Sequence, residues 1–475
     1  MSKRFRVCDL DQPYLLPPSL HDWLPENHLA RFIAEVSNEL NLSAIYDEYE
    51  RKDGRGLCAY HPLLMTRLLL YGYAKGVTSS RSIERATYED VPFRYLSADQ
   101  HPDHDTIAHF RRQHLSALEQ LFFQVLQLCQ KAGLVKLGNI AIDGTKIMAN
   151  ASRDRSASYK KLTEQEQSWK ETISKLLSEA QQTDQQEDER WGKGEGPQDL
   201  PKELADAKRR LARIQHAKAE LEKEAQEKLQ QAQQEFTPGK VGRPSKEEAA
   251  AKPVVDRRQQ AKAKGRLRRA RQNAKSPTRA YNFVDPDSRL MMDTGRDAFA
   301  QAYNAQAAVD GHAQVIVAAE ITQNTNDRAE LLPMVQAIRA AVGSDPQVIT
   351  ADSGYWDSVS VRDALRAGVN LLVTPDSKPR APDSVLPAQV PHTEEAQRMR
   401  ERLACEPDKA LYAKRKTIVE PVFGQIKEAR GFRRFRLRSL ERVAAEWKFI
   451  SATHNLLKLF RYQTKLVNLE QPMLA

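Results

Sequence analysis

Apolar residues recur at three- and four-residue steps across residues 26–49, at Leu29, Phe32, Ile33, Val36 and Leu40, the period of a helix with one buried face. A second helix is expected from Pro62, at a helix start where proline costs little, through Leu63, Leu64, Leu68, Leu69 and Tyr71 to Gly76. Ser79 or Ser80 can cap a third helix reaching Thr87, and Asp105 or Thr106 a fourth running to Ala132. Residues 1–135 therefore read as an all-helical domain behind a Pro-rich, irregular start.

The period changes at residue 136. GNIAIDGTK, residues 138–146, is an apolar strand ending in Asp143. Residues 153–275 are rich in Gln, Glu, Lys, Arg and Ala, with helical stretches at 157–182 and 201–234 on either side of a polar loop. In the second stretch Leu204, Ala207, Leu211, Ile214, Ala217 and Leu221 form a narrow seam, suited to an antiparallel helical hairpin or short coiled coil. Strand patterning resumes near Arg279. RAYNFVDPDSRLMMD and AFAQAYNAQAAVD read as two strands joined by a turn, and HAQVIVAAEIT as a third. DRAELLPMVQAIRAAVG is an amphipathic helix, QVITAD a strand ending in Asp352, VSVRDALRAG a helix and NLLVTP a short strand. A loop-rich stretch over 376–405, a helix carrying Glu420 and a last helix from Leu440 to Phe460 complete the chain. Residues 136–152 and 276–465 thus give the element order of an α/β ribonuclease-H-like domain, a mixed sheet flanked by helices. The polar segment 153–275 is inserted after its first strand, where a loop can lengthen without disturbing the sheet.

Composition narrows the partners. A chain of 475 residues buries a core without staples, and its four cysteines are scattered with no CxxC pair, so neither a disulfide framework nor a structural zinc site is expected. A reduced, cytoplasmic setting fits. The net charge of +10 favours a polyanion, nucleic acid before membrane. No apolar run approaches the ~18 residues of a membrane span, and MSKRFRVCDLDQPYLLPP lacks the apolar core of a signal peptide.

Three acids carry the candidate chemistry. Asp143 and Asp352 stand at strand ends; Glu420 lies in a basic helical run with Tyr412, Arg415 and Lys427, followed by Arg433, Arg434, Arg436 and Arg438. Such a set suits divalent metals beside a polyanion. Each acid also has an ordinary reading: Asp143 as a turn residue, Asp352 as a helix N-cap, Glu420 as an ion pair with Arg415 or Lys427. Lys146 and Lys427 either hold phosphate or are surface lysines, and Tyr355 and Trp356 either stack on an unpaired base or pack in the core. The third and fourth helices form a helix-turn-helix or a plain bundle; the former would turn Arg111, Arg112 and His114 toward DNA. TPGKVGRPSK, residues 237–246, has the Gly-Arg-Pro core of a minor-groove hook, and the run at 256–275 is either solvated or in contact with phosphates.

AIDGTKIMANAS around Asp143, TADSGYWD around Asp352 and YAKRKTIVEPVFGQIK around Glu420 resemble the catalytic segments of bacterial insertion-sequence transposases of the DDE kind, in the IS-four/IS-five-type grouping. HPLLMTRLLLYGYAKGVTSSRSIE is similar to the helical N-terminal domain such proteins carry. The family's Tyr, Arg, Glu and Lys fall on Tyr412, Arg415, Glu420 and Lys427, the Arg-to-Glu gap being one residue longer than the commonest form. The resemblance implies that Asp143, Asp352 and Glu420 are catalytic and bind two Mg²⁺ (or Mn²⁺) ions, with Asp143 bridging both. It implies roles beside Glu420 for Tyr412, Arg415 and Lys427; with Lys146, Arg433 and Arg434, and Arg111 and Arg112 from the helix-turn-helix reading, these are the candidate DNA contacts. The partner would be double-stranded DNA, transposon ends and target, held by a homodimer or larger assembly at the bacterial nucleoid. A structure-selective nuclease of the same fold and a non-catalytic DNA-binding derivative are the competing readings.

Overall fold

A computed structural model describes residues 19–50, 58–191, 202–234, 257–274, 276, 278–293, 298–376 and 393–470. The hook-like segment 237–246 lies outside them. The chain divides into two compact units, one formed by residues 1–150 and 287–475, the other by 151–286.

The first unit begins with helices. The single helix expected over 26–49 is two, α1 (Leu29–Glu39) and α2 (Ser43–Glu50). Asn41 breaks it, because its side-chain oxygen accepts from Ser43 N at 2.9 Å while its own backbone N–H donates to Gln124. Helix α3 (Pro62–Lys75) starts on proline and ends at Gly76, whose φ of +80° is left-handed. A Cβ there would also meet Arg430 O at 2.3 Å, so glycine is required twice over. Between α4 (Ser80–Glu89) and α6 (His104–Gln113) stands another helix, α5 (Val91–Leu96), started by Asp90 and Pro92. Asp103, rather than Asp105 or Thr106, caps α6. The long fourth helix is also divided, since α7 (Leu115–Lys131) begins anew after His114. The His114 ring is buried 2.8 Å from Glu48 and stacked on Tyr49, so it faces the helical core and not DNA.

The sheet of this unit is built on β1 (Asn139–Met148). Strands β4 (Arg289–Asp293), β5 (Ala298–Asp310) and β6 (Ile316–Thr322) lie on one side of it, β7 (Val348–Ala351) and β8 (Leu371–Val373) on the other. β5 is antiparallel to β1, β4 and β6; β1, β7 and β8 are parallel. Strand β1 does not end at Asp143 as expected, because β5 continues to pair with it as far as Met148. Its parallel pairing with β7 does stop there, at Ile142 opposite Ala351. The amphipathic helix is α11 (Leu331–Val342), shorter than expected and preceded by a polar turn holding Asp327. Helix α16 (Leu440–Glu470) runs beyond Phe460 and packs on the sheet. Trp447 donates its indole N–H to Gln306 O at 2.9 Å, and Asn455 pairs both ways with the backbone of Ile316 at 2.8 Å.

The second unit is an antiparallel hairpin of α8 (Tyr159–Trp191) and α9 (Lys202–Gln234), with α10 (Arg257–Ala274) against α9. Glu166 reaches Lys218 and Tyr159 reaches Glu222, which fixes the antiparallel register. Leu204, Ala207, Ile214, Ala217 and Leu221 are buried along the expected seam, with Leu211 half-buried. The stretch expected to be one strand over 279–293 splits between the units. Its first part, β3 (Ala280–Asn282), pairs with β2 (Ser156–Ser158) in a separate ladder. Arg210 and Arg213 stack on Trp169 and Phe283 at 5.2 and 5.1 Å.

One buried group of α16 makes the first unit sensitive to acid. His454 lies 3.0 Å from Gln314 O, and burial, helped by the charge of Arg430, pushes its pKa down from 6.5 to about 3. The unfolded chain takes up a proton near pH 6.5 that the folded protein excludes until about pH 3, so stability is lost as pH falls through that window. Between pH 7 and pH 5 the protein is expected to lose about 2 kcal/mol more stability than a His454→Gln variant, at ~1.4 kcal/mol per pH unit. Equal losses in urea unfolding would contradict a neutral buried His454.

Candidate active site

Asp143 and Asp352 are brought together by strand register. The last parallel rung joins Ile142 to Ala351, so the next residue of each strand is an aspartate. Neighbouring strands lie ~4.8 Å apart, which puts two carboxylates side by side. Asp143 Oδ1 accepts from Gly144 N at 2.8 Å, and Oδ2 lies 3.4 Å from Arg415 Nη1. Asp352 does cap a turn, its Oδ1 taking Gly354 N at 2.9 Å, so this ordinary role coexists with its place beside Asp143.

The pair is short of positive charge. Burial first, then Asp352, lifts the Asp143 carboxyl to a pKa of about 7, against the pull of Arg415. Burial also raises Asp352, with Arg415 opposing. Two half-buried carboxylates with one guanidinium, 3.4 Å from Asp143, form an oxygen-rich, under-compensated site, and the donor set fits a hard divalent cation.

The basic run supplies the surroundings. Tyr412, on α14 (Asp408–Ala413), has its phenol against Arg415 and the backbone of Thr374. Arg415 opens α15 (Arg415–Gly424), which packs on β1 and β5 and buries Arg415, Ile418, Val419 and Val422. Glu420 stands on that helix with its side chain exposed. Among the described residues no three His, Cys, Asp or Glu side chains stand ready to hold a metal ion, so Glu420 is not gathered with the two aspartates. Lys427 lies on the π-helical turn Gln425–Ala429 that follows α15. It reaches β1, with Nζ 3.1 Å from Thr145 Oγ1 and 3.3 Å from Lys146 O. Lys146 is turned to Asp327, at 3.6 Å.

Beyond the helix the chain runs beside the end of β1, with Phe435 N donating to Met148 O at 2.9 Å and Met148 N to Arg433 O at 3.1 Å. Phe432, Phe435 and Leu437 point inward, while Arg433, Arg434, Arg436 and Arg438 are exposed. Arg433 pairs with Glu428, and Arg434 lies near Met148 Sδ. Arg111 is instead turned inward, donating to Thr78 O at 2.9 Å and Tyr73 Oη at 3.3 Å, whereas Arg112 is exposed. Tyr355 and Trp356 are core residues, Tyr355 bonding to Gln306 Oε1.

Sequence reasoning missed what lies behind Asp143. Asn304 and Gln306 of β5 sit opposite Lys146 and Gly144, and both donate to Asp327 Oδ1, at 2.6 and 2.7 Å. Two amides at alternate positions of an Ala-rich buried strand were the available signal, since such groups must find partners. Asp327 itself reads as an ordinary helix start.

Two family models match: one described as Transposase domain (DUF772) over residues 18–113, the other as Transposase DDE domain over residues 258–456. The chain is an insertion-sequence DDE transposase. The matched segments hold Asp352, Arg415 and Glu420, whereas Asp143 falls between them and enters through the strand register. No curated protein and no solved structure gave a match. The transposase is therefore a metal-dependent enzyme of DNA cleavage and strand transfer. Among its described residues no helix is long and apolar enough to cross a membrane.

Gly144 tests how tightly this site is built. A Cβ there would lie 2.4 Å from Gln306 Nε2 and 2.7 Å from Asp327 Oδ1. Gly144→Ala is expected to reduce strand transfer roughly 10- to 100-fold, because displacements of this size disturb reacting geometry. Wild-type joining by that variant would show the cluster to be slack.

Proposed function

We propose that Asp143, Asp352 and Glu420 together hold two Mg²⁺ (or Mn²⁺) ions, and that the transposase uses them to cut the ends of its insertion sequence and to join the freed 3′-OH to target DNA. The observation that carries this reading is the rung after Ile142 and Ala351, which sets two half-buried aspartates side by side with only partial compensation from Arg415. Glu420, exposed on α15, would join the two aspartates when the ions bind; Arg415 of the same helix and Lys427 just beyond it already touch the Asp143 strand. Bound ions of this kind activate an attacking oxygen and stabilise the leaving one.

The chain's own residues do the positioning. Arg415 neutralises part of the charge on the aspartates and is itself set by the Tyr412 phenol. Lys427 lies at the strand beyond Asp143, placed to hold the phosphate flanking the cut. The exposed arginines 433, 434, 436 and 438 follow β1 outward and track the DNA backbone, with Arg112 a further contact. Lys146 contributes less directly, through its pairing with Asp327.

The strand order, three antiparallel strands with β1 at their edge followed by two parallel ones, supports a ribonuclease-H-like core. The order of Tyr412, Arg415, Glu420 and Lys427 supports the IS-four/IS-five-type grouping. Joining two ends to one target needs paired active sites, which supports a homodimer or larger on double-stranded DNA at the nucleoid.

Asp352→Asn and Glu420→Gln are each expected to lower cleavage and joining of a terminal-repeat substrate by at least about 1,000-fold, as loss of metal-organised chemistry should, while DNA binding persists. A chelator should do the same to the wild type. Normal joining by Asp352→Asn would refute the metal role.

A further inference from the structure

We propose that Asp327 is a positioning residue for the metal centre, acting from behind β1 by neutralising Lys146 and so keeping the field at Asp143 and Asp352 negative. The inference rests on the metal-centre reading above and concerns a residue outside the three acids.

Alternation along β1 puts Asp143 and Thr145 on one face and Gly144 and Lys146 on the other. On that second face Asn304 is paired opposite Lys146 and Gln306 opposite Gly144. Asp327, from the turn before α11, drops onto these four residues. Its Oδ1 accepts from the amides of Asn304 and Gln306 at 2.6 and 2.7 Å and lies 3.6 Å from Lys146 Nζ. Asn304 also donates to Asn324 O at 3.1 Å, which ties the turn to the strand. Gly144 leaves room for the approach, since any Cβ would strike both Gln306 and Asp327.

The cluster is half-buried at its charged pair, buried at its amides, and extends to the second aspartate. Asn304, Gln306 and Tyr355 are fully buried, and the Tyr355 phenol, three residues after Asp352, meets Gln306 Oε1. One carboxylate therefore anchors the strand behind Asp143, the amide that holds the turn after Asp352, and the ammonium of Lys146, whose charge is felt at Asp143. Without its negative charge, Lys146 would stand unpaired, with its 22 % exposed side chain close behind an acid meant to bind a doubly charged ion. At short range in a partly buried site a full charge is worth an order of magnitude or more in cation affinity. An Asn at this position keeps an oxygen for both amides, so it separates charge from shape.

Mn²⁺ binding to the full-length protein, followed by calorimetry without DNA, reads the effect directly. Asp327→Asn is expected to weaken Mn²⁺ binding roughly ten-fold, and the double variant Asp327→Asn with Lys146→Met is expected to recover wild-type affinity. Unchanged binding by Asp327→Asn overturns the inference. Weakened binding that Lys146→Met does not restore also overturns it, because Asp327 would then act as a ligand and not through Lys146. Asp352→Asn serves as the control: Mn²⁺ binding, or its absence, that does not depend on Asp352 defeats the metal-centre reading and this inference with it. Binding that needs Asp352 but not Asp327 defeats this inference alone.

Discussion

Two carboxylates held side by side at the end of a parallel ladder are the constraint on which the transposase is organised. A fold gains nothing in stability from placing like charges together away from water. Asp143 and Asp352 nevertheless follow directly from the pairing of Ile142 with Ala351, and a single arginine faces them. The surrounding design can be understood as management of that charge. Arg415 approaches from the helix on one face, and the half-buried Lys146–Asp327 pair lies behind the strand. What compensation remains to be made is left for a ligand.

Rigid support keeps this arrangement from relaxing. Helix α16 is bonded to the sheet through Trp447 and Asn455, and the buried guanidinium of Arg430 donates to Tyr73 O of α3 and Ile450 O of α16. The N-terminal helices and the sheet thus share one core, so a strand register set at Asp143 is backed by packing far from it. The same segment that leaves Arg430 turns outward beside the end of β1 at Met148 and exposes its arginines there.

Much of this was legible in the sequence, for physical reasons that differ from element to element. The apolar runs around residues 140, 317 and 349 announced strands because buried strands carry little else. The seam from Leu204 to Leu221 announced the hairpin through its period. Helix breaks were less visible: Asn41 and His114 sit inside apolar periodicity and interrupt it through contacts distant in sequence, with Gln124 and Glu48. The inward turn of Arg111 was hidden for the same reason. Of the site, the three acids and the Tyr412–Lys427 run were recognisable as a pattern, whereas the juxtaposition of Asp143 and Asp352 required a register. Asp327 was missed because its role depends on a bare glycine and two strand amides meeting it in space, none of which is marked by periodicity.

The central claim, that Asp143 and Asp352 share a bound cation with Glu420 brought alongside, is tested most directly by loading the protein with Fe²⁺ in place of Mg²⁺ and generating hydroxyl radicals with ascorbate and peroxide. Backbone scission is expected at three places remote in sequence, around residues 143, 352 and 420, and excess Mg²⁺ should suppress all three together. Scission confined to other segments, or scission near only one of the three, would contradict the account.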